Sequence, residues 1–160
     1  MLRHVLTVTA ITLLSTQIVR AADFCPTTLP PTPAFVPPAP YDAMSTDGGF
    51  WYGTDALWIQ LPINGTWRGL PFDGKSYGQK IFWFSRDYDW HTSQQPGIVV
   101  TSKRLDVDGP TFVLKRATNA ILGEGRQAML TGAVLPTTGC WEITGHYRGA
   151  ALTFVISIVR

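Results

Sequence analysis

The sequence predicts an all-β fold, an antiparallel β-sandwich that follows an extended, proline-rich N-terminal arm. From Phe50 onward, short segments alternate between apolar and polar residues, and Gly, Pro and Asn separate them at short intervals. No segment shows a sustained helical period with capping residues. Short strands joined by such turns are typical of a sandwich or a small barrel. We place this domain at residues 48–160.

The clearest element is a C-terminal hairpin of residues 140–147 and 151–159. One face of its first strand carries Trp141 and Ile143, and the opposite face carries Glu142 and Thr144. This alternation indicates an antiparallel pair with one buried face. The same pattern, with turn residues between the segments, predicts further strands at residues 56–61, 66–70, 79–86, 97–105, 111–117 and 127–134.

Two turns predict further hairpins. Asn64-Gly65 stands between two predicted strands and is the strongest short hairpin signal. Residues 106–110, Asp-Val-Asp-Gly-Pro, separate the strands that begin at Gly97 and Thr111. We therefore expect each turn to join neighbouring strands of one sheet.

Residues 1–21 resemble a cleavable signal peptide. Arg3 precedes a mostly apolar, uncharged stretch at residues 5–19, and Val19-Arg20-Ala21 fits a cleavage site. The apolar stretch is short for a membrane span, which needs about 20 residues. The sequence thus predicts secretion or a periplasmic location, with no stable membrane span after cleavage.

Cleavage would also change the charge balance. It removes Arg3 and Arg20 from the 13 basic residues, which leaves 11 against 11 acidic residues. A neutral chain lacks the basic field that supplies affinity for phosphates, so we expect no nucleic-acid partner.

The two cysteines that remain, Cys25 and Cys140, predict a disulfide in an exported protein. The arm, residues 22–47, holds seven of the 12 prolines within residues 26–40. Proline fixes φ and removes a hydrogen-bond donor, so the arm should be extended. It is either a semi-rigid tether or, with its start pinned by the disulfide, a segment that runs along the surface. We favour the second interpretation.

Two sets of residues resemble known proteins. The pattern Pro-x-x-Gly-x-Trp-x-Ile-x-Gly at 136–145, followed by a short turn and a terminal strand, resembles the closing strands of bacterial immunoglobulin-like domains. Residues 50–58 and 139–145 together are similar to exported bacterial proteins with no known activity. These resemblances imply export and an immunoglobulin-like sandwich, and no particular function.

Aromatic residues are concentrated in the first half of the predicted domain, with 12 of the 19 between Phe50 and Trp90. If residues 79–91 are extended and the phenylalanines face the core, Trp83 points outward beside Asp87, Asp89 and His91. On this interpretation, Trp58 joins a surface suited to sugar rings. These five residues are the candidate binding site. Alternatively, the arm covers the aromatic surface, or an oligomer interface does.

The sequence favours a non-catalytic binding or accessory module of the cell envelope, with a glycan or a protein as partner. It contains no Gly-x-Ser-x-Gly, His-Glu-x-x-His, P-loop or dinucleotide-binding motif, and it predicts no cofactor and no metal site. Asp87, Asp89 and His91 leave open a small secreted hydrolase. A purely structural or assembly partner is the third alternative.

Overall fold

The computed structural model describes residues 25–41, 45, 48–123 and 125–160. The predicted signal peptide and the first three residues of the predicted arm lie outside the described residues. Within the described part, regular structure is entirely β, and β1 begins at Gly49, next to the predicted domain boundary.

Among the described residues, ten strands form two five-stranded sheets. The first sheet has the order β1-β2-β4-β8-β7, and the second has the order β3-β10-β9-β5-β6. The strands are β1 (Gly49–Thr54), β2 (Leu57–Pro62), β3 (Thr66–Arg68), β4 (Ile81–Phe84), β5 (Val99–Arg104), β6 (Thr111–Leu114), β7 (Thr118–Ile121), β8 (Gln127–Thr131), β9 (Gly139–Tyr147) and β10 (Ala150–Val159). The all-β prediction is confirmed, and the two sheets are compatible with the predicted sandwich. Strands β1 and β7 were not among the predicted strands.

The predicted C-terminal hairpin is confirmed as β9 and β10, which pair antiparallel from Gly139 to Ile158. Its turn residues, Arg148 and Gly149, have φ values of 47° and 83°. Two positive φ angles match the right-handed twist of the flanking strands. The predicted hairpin around residues 106–110 is also confirmed, since β5 pairs antiparallel with β6.

The prediction of a hairpin at Asn64-Gly65 was wrong. This turn leads from β2 in the first sheet to β3 in the second, where β3 pairs with β10 in parallel. Gly65 has a φ of 60° and accepts a hydrogen bond from the Ser157 N–H at 2.9 Å. The local turn signal was correct, but contact with β10 directs the next strand to the opposite sheet.

The main core lies between the two sheets. Alternate residues of β9 and β10 point into it, as the sequence predicted for Trp141 and Ile143, and each is less than a tenth exposed. They meet the inward side chains of β2 and β4 from the first sheet. In the part of the chain that the structure describes, nineteen buried residues form this core, among them Leu57, Ile59, Ile81, Trp83, Met129, Trp141, Ile143, Phe154 and Ile156.

The Cys25–Cys140 disulfide is present and ties the start of the arm to β9, with the Cα atoms 5.4 Å apart. Thr28 then bonds to β10, because its N–H donates to the Val155 carbonyl and its Oγ1 accepts from the Val155 N–H, each at 2.8 Å. The arm is therefore fastened to the second sheet at its start, as the pinned interpretation requires.

Candidate functional site

A second apolar cluster lies on the outer face of the first sheet. Strands β1, β2, β4 and β8 each contribute a buried apolar side chain that points away from the main core. We call Trp51, Trp58, Phe84 and Ala128 the outer aromatic cluster. The rings of Trp58 and Phe84 stack with centroids 6.0 Å apart, and Trp51 meets Phe84 edge-on at 5.4 Å.

The arm covers this cluster. Phe35 lies with its ring centroid 6.4 Å from that of Trp58, and the ring of Tyr41 is 5.2 Å from both Trp58 and Phe84. The Tyr41 hydroxyl donates a 2.8 Å hydrogen bond to the carbonyl of Gln127 at the start of β8. Trp58 is consequently fully buried. The arm thus begins on the second sheet and ends its described course on the first.

The expectation that Trp83 points outward was wrong. Trp83 lies in the main core with no exposed surface, and Phe84 faces the outer aromatic cluster. The Trp83 Nε1 donates a 2.9 Å hydrogen bond to Oγ1 of Thr131, and its ring centroid is 5.9 Å from that of Phe154. On β4, Trp83 therefore faces the core and Phe84 faces outward, the opposite of the orientation in which the phenylalanines face the core.

The predicted strand through residue 91 ends early, because β4 stops at Phe84. Asp87, Asp89 and His91 are all exposed, and they occupy turns rather than one face of a strand. Asp89 Oδ1 accepts from the backbone N–H of His91 at 3.0 Å and contacts His91 Nδ1 at 2.9 Å. These bonds from His91 lower the pKa of the Asp89 carboxyl.

The structure brings Asp89 and His91 together but does not assemble them with Asp87 into a metal site. No group of three or more His, Cys, Asp or Glu side chains suited to a metal occurs among the described residues. The backbone carbonyl of Asp87 instead accepts a hydrogen bond from Arg148 at 2.6 Å. The contact between Asp89 and His91 is a turn interaction, because Asp side chains commonly accept a hydrogen bond from the backbone N–H two residues further on.

A cleft opens beside the outer aromatic cluster, where β2 and β4 separate. Only two residue pairs join these strands, Trp58 with Phe84 and Ile59 with Trp83, although β2 continues to Pro62. The cleft has a volume of about 480 Å³ and is bounded by the end of β2 that pairs with β1 but not with β4, by the start of β4 and by the ring of Tyr41.

The described lining of the cleft combines three kinds of side chain. Its aromatic rings are Tyr41, Trp51, Trp67, Phe82 and Phe84, its polar side chains are Gln60, Gln79, Lys80 and Arg126, and its aliphatic side chains are Ile59, Leu61, Pro62, Ile81 and Leu122. Such a mixture of apolar walls with a few polar groups is typical of small-molecule sites.

A second, more open cavity of about 450 Å³ lies beside the disulfide. Its main polar feature is the Arg104–Asp106 ion pair, in which Nε lies 2.6 Å from Oδ1. The hydrogen bond from Arg104 lowers the pKa of the Asp106 carboxyl. These two charges are already paired with each other, which leaves Arg160 as the other charged side chain of the described lining.

Comparisons with protein-family models, with curated proteins and with solved structures gave no match. Among the described residues, none forms a helix of the length and hydropathy that a membrane crossing requires. The disulfide fits an extracellular location, where oxidising conditions let such bonds persist.

The cleft was not predicted from the sequence, although one signal pointed towards it. In the strand predicted at residues 56–61, Trp58 and Gln60 alternate with Leu57 and Ile59, which places them on the opposite face. If Phe82 had been placed on that same outer face, Gln60 and Phe82 would have marked the borders of the cleft. Alternation alone does not show where two paired strands separate, since separation depends on the loop of residues 69–80 that joins β3 to β4.

Proposed function

We propose that this protein is an exported, non-catalytic binding module of the cell envelope, and that its ligand occupies the cleft between β2 and β4. One observation carries the proposal: aromatic rings and a few polar side chains surround a concave space of about 480 Å³. Ligand sites commonly enclose roughly 300–1,000 Å³ and are lined in this way.

Export is part of this proposal. The signal peptide predicted at residues 1–21 would deliver the chain to an oxidising compartment, where the Cys25–Cys140 bond forms. We also propose that the sandwich is immunoglobulin-like, on the strength of the resemblance at residues 136–145. An immunoglobulin-like assignment must account for the parallel pairing of β3 with β10.

The aromatic surface of the proposal differs from the one predicted from the sequence. Trp58 and Trp83 are buried, so the rings offered to a ligand are the partly exposed ones that line the cleft, Tyr41, Trp67 and Phe82. The partner predicted from the sequence is a glycan or a protein segment, and either one would stack on these rings.

The competing hydrolase would use Asp87, Asp89 and His91. Asp89 and His91 bond to each other in an exposed turn, and neither lines the cleft. A general acid or base would have to lie within hydrogen-bond reach of a bound substrate. The geometry therefore favours binding over catalysis. The third alternative, an assembly partner, would use the same outer face against another protein.

Tryptophan fluorescence of the mature protein, titrated with envelope glycan and lipid fractions, tests the proposal. We expect saturable quenching, because Trp51 and Trp67 line the cleft. The substitution Gln79→Trp, which fills the cleft from its rim, should abolish the quenching, and Asp89→Asn should leave it unchanged.

Two results would contradict the proposal. Quenching that survives Gln79→Trp would place the ligand elsewhere. Metal-dependent hydrolytic turnover that Asp89→Asn removes would establish the hydrolase instead.

A further inference from the structure

The apolar surface that the cleft offers a ligand comes from two side chains of its lining. Leu122 is 37 % exposed and the ring of Phe82 is half-buried. Ile59, Leu61 and Ile81 also line the cleft, but each belongs to the main core and is no more than 2 % exposed. Apolar walls gain free energy from burying hydrocarbon and offer no hydrogen bonds to sugar hydroxyls. This surface therefore favours an apolar ligand body over a hydroxyl-rich one.

The rim of the cleft is positively charged. Lys80, which precedes β4, is exposed and forms no ion pair within the described part of the chain. Arg126 contributes a second cationic side chain to the lining, and no acidic side chain among the described residues lines the cleft. Charge complementarity at such a rim favours an anionic group, which takes strong charge-assisted hydrogen bonds.

We propose that the cleft binds an amphiphile with an apolar body and one anionic head, a carboxylate or a phosphate. This inference rests on the proposed function and names its ligand class. The body contacts Leu122 and the ring of Phe82, and the head lies beside Lys80. The amide of Gln79, at the same rim, supplies a further hydrogen-bond donor to the head.

Calorimetric and fluorescence titrations with three probes of one chain length test this ligand class. Dodecanoate and dodecyl phosphate carry the two acidic heads, and dodecanol is the neutral control, each used below its aggregation concentration. We expect both anions to bind more tightly than dodecanol. Lys80→Gln should weaken the binding of both anions by about tenfold, the scale of one lost charge-assisted hydrogen bond, and should leave dodecanol unchanged.

The matched control is Lys115→Gln. Lys115 is also exposed but follows β6, at the far edge of the second sheet, and does not line the cleft. This variant should bind all three probes like the unmodified protein. Acetate and inorganic phosphate, which lack the apolar body, should not bind measurably.

Three results would overturn the inference, and they separate it from the proposed function. Equal affinity for dodecanoate and dodecanol, unaffected by Lys80→Gln, refutes the anionic head. Binding of a glycan or a peptide that Gln79→Trp abolishes, without binding of any amphiphile, refutes the ligand class and leaves the binding function standing. Absence of every cleft-dependent ligand refutes both.

Discussion

Gly145 on β9 lies directly against the indole ring of Trp83 on β4, across the interface between the two sheets. A Cβ atom added to Gly145 would lie 2.5 Å from Cζ3 of Trp83 and 2.7 Å from Cη2. Real Cβ atoms essentially never approach so closely. The absence of a side chain at residue 145 thus provides the space in which the largest side chain of β4 is buried.

The substitution Gly145→Ala should therefore destabilise the fold. The added methyl group would force apart two rigid sheets, and overpacking of this kind costs about 1–3 kcal/mol. Urea denaturation followed by circular dichroism measures the change in the free energy of unfolding. Gly97→Ala is the control, because a Cβ there meets no heavy atom within 4 Å. Equal stability of the two variants would contradict the packing described here.

Thr131→Val should also reduce stability, through the polar end of the same indole ring. Trp83 is fully buried and donates from Nε1 to Oγ1 of Thr131. Replacing the hydroxyl by a methyl group leaves a buried donor unpaired, which costs about 1–3 kcal/mol. Thr153→Val, where the hydroxyl is exposed and bonds to Thr144, should change the free energy of unfolding much less.

Much of the fold could be predicted from local patterns in the sequence. Alternation gave the inward face of β9 correctly, because its outward residues include the polar Glu142 and Thr144. It failed at β4, where Ile81, Phe82, Trp83 and Phe84 are all apolar. Burial on both sides, by the opposite sheet and by the arm, removes the contrast on which the method depends.

The cleft and the path of the Asn64-Gly65 turn depend on contacts between distant residues. The turn residue Gly65 is held by Ser157, and β3 by the last residues of β10. A hairpin signal specifies a tight turn, but the partner strand is chosen by long-range packing. The disulfide was predictable because only two cysteines remain in the predicted mature chain.

Removing the disulfide should destabilise the protein and loosen the arm. Cys25 and Cys140 are 115 residues apart in the sequence, and the chain-entropy model gives about 4–5 kcal/mol for closing such a loop. We expect the double variant Cys25→Ala, Cys140→Ala to unfold at lower urea concentration and to match the reduced protein. Alkylation followed by mass measurement provides the check, and two free thiols in the oxidised protein would contradict the bond.

Stability should fall at alkaline pH because of Tyr88. Burial raises the pKa of its phenol from 10.0 to about 12, and the hydroxyl donates to the Ser93 carbonyl at 3.1 Å. A folded-state pKa above the unfolded value means that this contribution is fully present below pH 10 and is lost as the pH rises through about 12. Urea denaturation at a series of pH values between 10.0 and about 12 should show that Tyr88→Phe loses less free energy of unfolding than the unmodified protein does. Equal losses in the two proteins would contradict this role of Tyr88.

Tyr41 should have two separable roles, since its ring both covers the outer aromatic cluster and forms a wall of the cleft. Tyr41→Ala should increase acrylamide quenching of tryptophan fluorescence and weaken ligand binding in the cleft. Phe35→Ala is the matched variant, because Phe35 contacts Trp58 but does not line the cleft. It should increase the quenching and leave ligand affinity unchanged. If the two variants lowered affinity equally, the arm would act on binding by anchoring the outer aromatic cluster, and the Tyr41 ring would not be a wall of the ligand site.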